Sequence, residues 1–264
     1  LTGRWSRLCQ FGVCGANFAG LSVKGKNIMY DREFVKLTIT SPFTSTLNHE
    51  VARKELVDGY RCGVRSAIVA PGQVDMLNEV KADYDNGYSR TGMAISYPYG
   101  GFSTNFKVYL ARQAKEKGLD EIDVGFNVTA AVSGDFDTIR KELELILEAV
   151  DGQVRVVPML WMVKLPFETI DKLCQLYIDL GITAVKTSAG IHFGYMKLEH
   201  IQYLYRNYGD KLCIEVAGKV RARSLAEEMY QASYFHMGSW RSVSGIGKDV
   251  AFDPVTKEIT PGEG

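Results

Sequence analysis

The sequence has no excess of either charge and no hydrophobic run long enough to span a bilayer. Its 31 lysine and arginine residues balance its 31 aspartate and glutamate residues, so the formal net charge at pH 7 is +0. Nucleic-acid-binding proteins usually carry a basic excess, so this balance disfavours that class. A membrane-spanning helix needs about 20 consecutive apolar residues. We therefore expect neither a nucleic acid nor a membrane as a partner.

Cysteine is scarce, and its pattern excludes a disulfide framework. The five cysteines are odd in number and widely spaced: Cys9, Cys14, Cys62, Cys174 and Cys213. Cys174 and Cys213 fall inside apolar periodic runs, which predicts buried, reduced thiols of a cytoplasmic protein. With 264 residues, of which 46% are hydrophobic, the chain is globular in composition. It is long enough for two domains, but α/β barrels of about 250 residues form a single one.

Short apolar runs alternate with longer amphipathic ones along the chain. The short runs are rich in β-branched and aromatic residues and are bounded by Gly, Pro or Ser, which is typical of buried parallel strands. They are Val35–Ser41, Ser66–Ala70, Met93–Tyr97, Ile122–Val128, Val154–Met159, Ala184–Thr187, Leu212–Ala217 and Tyr234–Met237. Eight such strands, seven of them followed by a helix, predict a closed (β/α)8 barrel, the TIM barrel, in a single domain. A doubly wound sheet is the alternative, but no glycine-rich dinucleotide turn follows the first strand.

The helix signals are apolar stripes with recognisable ends. Ile170, Leu173, Cys174, Tyr177 and Ile178 form one helix face, and Gly181 is suited to its C-terminal end. Asp137 is predicted to cap the next helix upstream, and Asn48 or Thr46 an earlier one. We expect residues 1–34 to form an N-terminal extension, 35–252 the barrel, and 253–264 a C-terminal tail.

Three charged residues fall inside predicted strands, at the edge where such barrels place their sites. They are Asp123, Lys186 and Glu215. A charge in an apolar interior must be paired, so one interpretation is a structural ion pair of Lys186 with either acid. The other is catalytic, because a desolvated lysine that loses its proton can form a Schiff base, with Asp123 carrying protons. Glu215 is then a second acid/base or a charge that tunes the lysine.

Small-residue loops after the last three strands favour an anion site, since such loops bind phosphate through backbone N–H groups. They are Ser188-Ala189-Gly190, Gly218-Lys219 and Gly238-Ser239. Lys219 and Arg241 would add positive charge.

Several motifs together resemble the deoxyribose-phosphate aldolase family. Val185-Lys186-Thr187-Ser188-Ala189-Gly190 is similar to the family's lysine motif V/I-K-T-S-T-G. The turn at 97–100 and the strand at 120–124 resemble its F-P-x-G turn and D-E-I-D strand. Residues 216–221 are similar to P-A-G-G-V-R. The resemblance covers roughly residues 35–245.

The resemblance implies a class I aldolase, an aldehyde-lyase that needs no metal or other cofactor and is often dimeric. The family reversibly joins acetaldehyde to glyceraldehyde 3-phosphate. Matched by position, Lys186 would form the Schiff base and Asp123 would move protons with a water. The substrate's phosphate would be bound at the small-residue loops, in the set Thr187, Ser188, Gly190, Gly218, Lys219, Gly238, Ser239 and Arg241.

The sequence departs from the family pattern at positions that line the substrate pocket. The family's second active-site lysine, on strand seven, is Glu215 here, and one glycine of its G-G pair is Lys219. The serine pair after strand eight is replaced by Trp240 and Arg241. We therefore predict a divergent aldolase acting on a small phosphorylated or otherwise anionic sugar, as a homodimer or higher homo-oligomer. The alternatives are a barrel isomerase or metal-assisted lyase, and a non-catalytic relative that binds a metabolite.

Overall fold

The computed structural model describes residues 35–39, 48–61, 66–84, 90–188, 197–217, 237–240, 251–252 and 259–260. Over these ranges the main sheet has eight strands. They are β1 (Val35–Ile39), β2 (Ser66–Val69), β3 (Arg90–Ile95), β4 (Glu121–Val124), β5 (Arg155–Pro158), β6 (Ala184–Lys186), β7 (Cys213–Val216) and β8 (Met237–Trp240). The helices are α1 (His49–Arg61), α2 (Val74–Tyr84), α3 (Thr104–Glu116), α4 (Val128–Val132), α5 (Phe136–Val150), α6 (Phe167–Asp179) and α7 (Leu198–Tyr208).

All neighbouring strands of the main sheet are parallel, in the order β5-β4-β3-β2-β1-β8-β7-β6. A parallel bridge between Met159, just after β5, and Lys186 brings the two ends of this order together. The Leu160 N–H also donates to the Lys186 carbonyl oxygen at 2.7 Å. The prediction of an eight-stranded barrel is confirmed.

Side chains on both faces of β2, β4 and β7 are buried, because one face packs on helices and the other fills the barrel. Val157, Ala184 and Cys213 form a small apolar cluster separate from the larger core. Side chains two residues apart on a strand lie on the same face of the sheet. Ala184 therefore shares a face with Lys186 on β6, and Cys213 shares the same face with Glu215 on β7. This shared face is the interior of the barrel.

Three helix ends test the predicted caps, and two of them agree with the prediction. Gly181 follows α6 with φ +73°, the left-handed conformation predicted for it. Asn48 caps α1, since its Oδ1 accepts a hydrogen bond from the Val51 N–H at 2.9 Å. The prediction of Asp137 as a cap was wrong. Asp135 caps α5 instead and accepts from the Thr138 N–H at 3.0 Å, which leaves Asp137 in the first turn.

The described part of strand eight continues past the end of the predicted run. The structure describes Met237–Trp240 as a strand, which shares Met237 with the predicted run Tyr234–Met237, and residues 234–236 lie outside the described residues. Gly238 and Ser239 therefore lie within β8 and not beyond it. Pairing with β1 and β7 on either side decides this register, and a short run ending in glycine carries too little pattern to show it.

The ends of the barrel domain stay predictions. Ala251–Phe252 (β9) and Ile259–Thr260 (β10) pair as a short antiparallel sheet, so the second strand lies in the predicted tail. No helix within the described ranges combines the length and the apolar character needed to cross a membrane. Cys174 and Cys213 are buried free thiols, as predicted. Burial raises the pKa of the Cys174 thiol far above its ordinary value.

Candidate active site

Lys186 and Asp123 meet inside the barrel although β5 lies between their strands. The Lys186 Nζ donates a hydrogen bond to Oδ2 of Asp123 at 2.7 Å. Only 4% of the lysine side chain and none of the aspartate side chain is exposed. The structure thus brings the two residues of the predicted lysine–aspartate pair together.

This geometry lets a proton pass directly between the amine and the carboxylate. A distance of 2.7 Å is typical of a strong, charge-assisted hydrogen bond. Burial disfavours a lone ammonium, and the carboxylate favours it, so the pair is held together while water is excluded. Once Asp123 accepts the proton, the neutral amine can attack a carbonyl carbon.

Thr187 and Ser188 continue the chain at the end of β6. The Thr187 Oγ1 donates to the Ala217 carbonyl oxygen at 2.8 Å and accepts from the Ala217 N–H at 2.9 Å. The Thr187 N–H donates to the carbonyl oxygen of Glu215 at 2.9 Å. These bonds fasten the end of β6 to the end of β7. Ser188 is buried beside them.

Glu215 lies in register with Lys186 on the neighbouring strand. Its Oε1 is 3.7 Å from Nη1 of Arg155, and the same Nη1 is 3.5 Å from Oε2 of Glu121. The other oxygen of Glu121 accepts from the Ser66 hydroxyl at 2.5 Å. Glu215 is thus part of an ion cluster, hereafter the Arg155 cluster, made of Arg155, Glu121 and Glu215.

The Arg155 cluster was missed by the sequence reasoning. Arg155 and Glu121 are first residues of buried strands, and a charge at such a position was the available signal. A charged residue can also lie at the solvent-exposed start of a strand, so the signal by itself does not predict an interior contact. Arg155 is only 23% exposed.

The remaining predicted site residues fall into two groups. Gly190, Gly218, Lys219 and Arg241 lie outside the described residues. Gly238 and Ser239 lie on β8, where they pair with Val35 and Lys36 of β1. Within the described ranges, no three His, Cys, Asp or Glu side chains are grouped as a metal ion would require.

The loop after β3 carries the Tyr97-Pro98-Tyr99-Gly100 motif and flanks the site. Gly100 has φ +69°, and a Cβ there would come within 1.8 Å of the Phe126 carbonyl oxygen, so only glycine fits. Beside it, the Tyr99 ring meets the Trp161 ring edge to face, with centroids 6.2 Å apart. These rings follow β3 and β5, the two neighbours of the strand that carries Asp123.

Comparison with known proteins identifies the family. No protein-family model matches the chain. The deoxyribose-phosphate aldolase of Clostridium novyi is 31% identical over 154 residues, covering 58% of this chain and 69% of the relative. That of Thermoanaerobacter sp. strain X514 is 30% identical over 179 residues, covering 67% and 79%. This chain belongs to the deoxyribose-phosphate aldolase family.

Solved structures of aldolases share the fold of this family member. The structure described as "QR15, an Aldolase" superposes with a TM-score of 0.71 at 21% identity, covering 83% of this chain and 94% of that one. The deoxyribose phosphate aldolase of Aeropyrum pernix, described as having a unique tetrameric structure, superposes with a TM-score of 0.69 at 16% identity, covering 81% and 88%. The predictions of an aldehyde-lyase and a class I aldolase are confirmed, and the isomerase and non-catalytic alternatives are not supported.

Proposed function

We propose that this protein reversibly cleaves a small 2-deoxy sugar phosphate, or a closely similar anionic sugar, through a Schiff base on Lys186. The observation that carries the proposal is the buried 2.7 Å contact between the Lys186 Nζ and Asp123. It supplies a nucleophile and a proton carrier in one water-poor place. Membership of the deoxyribose-phosphate aldolase family supports this choice of substrate class.

The reaction follows from these two groups. The Lys186 ammonium gives a proton to Asp123, and the neutral amine adds to the substrate's aldehyde carbon. The hydroxyl of the carbinolamine takes that proton from Asp123 and leaves as water, which leaves a protonated imine. The hydroxyl on the third carbon then gives its proton to Asp123, and the bond between the second and third carbons breaks. The third carbon becomes the aldehyde of the phosphorylated fragment, which leaves. The released electron pair enters an enamine, which takes a proton back at the second carbon. Water hydrolyses the resulting protonated imine, which frees acetaldehyde and restores the Lys186 ammonium.

Glu215 acts in this scheme through its charge. It lies in register with Lys186 and 3.7 Å from the Arg155 guanidinium. A carboxylate near the lysine favours the ammonium and opposes nucleophilic attack. We therefore assign to Glu215 the role of tuning the charge state of Lys186. We assign to Asp123 the role of proton carrier.

The substrate's anionic group binds at the C-terminal ends of β6, β7 and β8. These strands are neighbours in the barrel, and Lys186 is the last residue of β6. Backbone N–H groups after these strands form a phosphate site in many such barrels. The proposed set is Thr187, Ser188, Gly190, Gly218, Lys219, Gly238, Ser239 and Arg241. The scheme requires no metal or other cofactor.

Two further predictions concern the whole protein. We expect a homodimer or higher homo-oligomer, which light scattering of the purified chain would measure, and the tetrameric Aeropyrum pernix relative supports it. We also expect a cytoplasmic location, which the buried, reduced Cys174 and Cys213 support.

Borohydride trapping tests the proposal. The protein is incubated with 2-deoxyribose 5-phosphate or acetaldehyde, reduced, digested and mapped by mass spectrometry. The expected adduct is on Lys186 and is lost in Lys186→Met. Lys107 is a matched internal control, because it is equally buried and lies 2.7 Å from Glu142, yet belongs to the outer helices. No adduct on Lys186, or equal labelling of Lys107, would contradict the proposal.

Measuring cleavage activity in the presence of a metal chelator is a second test of the same proposal. A Schiff-base aldolase keeps its activity in chelator, whereas a metal-assisted lyase loses it. Loss of cleavage in chelator, with recovery on adding back a divalent cation, would contradict the proposed mechanism.

A further inference from the structure

Arg155 faces two fully buried carboxylates, those of Glu121 and Glu215. The Nη1 of Arg155 lies 3.5 Å from Glu121 and 3.7 Å from Glu215, and neither glutamate side chain is exposed to solvent. Arg155 begins β5, and its side chain keeps 23% of its surface exposed. The long side chain of Arg155 therefore extends from the start of β5 and places its guanidinium beside the buried carboxylates.

Glu215 also lies next to the lysine along the sheet. Lys186 and Glu215 are register partners on parallel neighbouring strands, so their side chains leave the sheet on the same face. The lysine thus has two carboxylates near it, Asp123 and Glu215. Pairing with Glu215 as well would draw the ammonium away from its contact with Asp123.

We propose that Arg155 is a positioning residue for the Schiff-base lysine, because it holds the Glu215 carboxylate and so leaves Asp123 as the group that exchanges the proton. The inference rests on the proposed function and deepens it at the same site. It assigns to Arg155 no contact with substrate.

Arginine suits this role better than a shorter or titrating cation. Its guanidinium stays charged at any ordinary pH, and its long side chain places Nη1 within ion-pair distance of both acids, at 3.5 and 3.7 Å. Both acids are buried, so removing Arg155 takes away one positive charge from beside two buried carboxylates. One of them, Glu215, is the register partner of Lys186.

Two double variants test the inference. The readout is the rate at which borohydride traps the Schiff base that acetaldehyde forms on Lys186. Arg155→Met should slow trapping at Lys186 by about tenfold or more. Arg155→Met/Glu215→Gln should restore it to within about threefold of the unsubstituted protein. Arg155→Met/Glu121→Gln removes the same number of charges but should stay slow.

Thermal melting of the same proteins separates positioning from folding. Both double variants lack one buried carboxylate, so both should melt alike, above Arg155→Met. Should Arg155→Met fail to fold, the comparison between the two doubles still decides. Equal trapping by the two doubles would overturn the inference, because Arg155 would then act on stability alone.

Two single variants complete the experiment. Arg155→Lys keeps the charge and should retain most of the trapping rate. Arg140→Met breaks an exposed ion pair with Asp179 at 3.4 Å and should trap like the unsubstituted protein. Failure of the inference is distinguishable from failure of the proposed function. If the unsubstituted protein forms no Lys186 adduct, the proposed function fails, whereas a normal adduct in Arg155→Met overturns only the role of Arg155.

Discussion

Lys186 and Asp123 are 63 positions apart in the chain, yet their side chains form one buried hydrogen bond of 2.7 Å. The barrel accounts for this proximity, since β4 and β6 both face its interior and both end at the same rim. Nothing local to either residue specifies the other. The proposed Schiff-base reaction depends on this pair, and the first prediction concerns it.

Asp123→Asn should abolish most of the aldolase activity while leaving the fold intact. The amide has the size of the carboxylate and can still contact Lys186, but it cannot take up the proton. We expect kcat for deoxyribose-phosphate cleavage to fall by about 100-fold or more, with a smaller change in KM. Steady-state kinetics and thermal melting check this. Retained turnover in a folded Asp123→Asn protein would show that another group carries the proton.

Gly100→Ala should destabilise the loop that flanks the site. The residue has φ +69°, and an added Cβ would come within 1.8 Å of the Phe126 carbonyl oxygen. Strain and overpacking together should cost about 3 kcal/mol or more, measured by urea unfolding. Gly101→Ala is the matched control, because a Cβ there meets nothing within 4 Å. Similar losses in both variants would contradict the steric explanation.

The buried pair of Lys107 and Glu142 joins α3 to α5 with an Nζ–Oε1 distance of 2.7 Å. Burial lowers the pKa of Lys107 below its ordinary value, although Glu142 opposes the shift. Lys107→Met should lower the free energy of unfolding by about 3–5 kcal/mol, because Glu142 would remain buried and uncompensated.

The double variant Lys107→Met/Glu142→Leu should regain most of that stability, since it buries no charge at all. Denaturant unfolding of the single and double variants measures both effects. Borohydride trapping at Lys186 should be unchanged in the double variant. A double variant no more stable than the single one would show that packing, and not charge, explains the loss.

Tyr203 and Asp171 make the stability of the fold sensitive to alkaline pH. The Tyr203 hydroxyl donates to both carboxylate oxygens of Asp171, at 2.9 and 2.7 Å. Burial, and then this hydrogen bond and the aspartate charge, raise the pKa of Tyr203 from 10.0 to about 12. Its contribution to stability is therefore complete below pH 10.0 and is lost as the pH rises towards 12.

Unfolding measured across that pH range checks the effect in the unsubstituted protein and in Tyr203→Phe. The difference in unfolding free energy between the two should shrink as the pH rises above 10.0. Tyr205→Phe, a neighbour on the same helix, is the control. A difference that stays constant with pH would show that Tyr203 ionises equally easily in the folded and unfolded chains.

The sequence by itself determined the repeating order of strands and helices and the lysine motif around Lys186. These features are local, because a buried parallel strand or an amphipathic helix face is written in a few neighbouring residues. Family membership follows from the same short motifs. The sequence did not determine which residue caps α5, since Asp135 and Asp137 are equally good capping residues. Only the hydrogen bond from the Thr138 N–H to Asp135 distinguishes them.

Only the tertiary structure decided which charges meet. From the sequence, Lys186 had two acidic partners of equal merit, and the barrel pairs it with Asp123. The same closure of the sheet brings Arg155 between Glu121 and Glu215, from three different strands. A charge placed in a strand shows that it needs a partner, but the partner's identity depends on strand tilt and register, which follow from how the whole barrel closes.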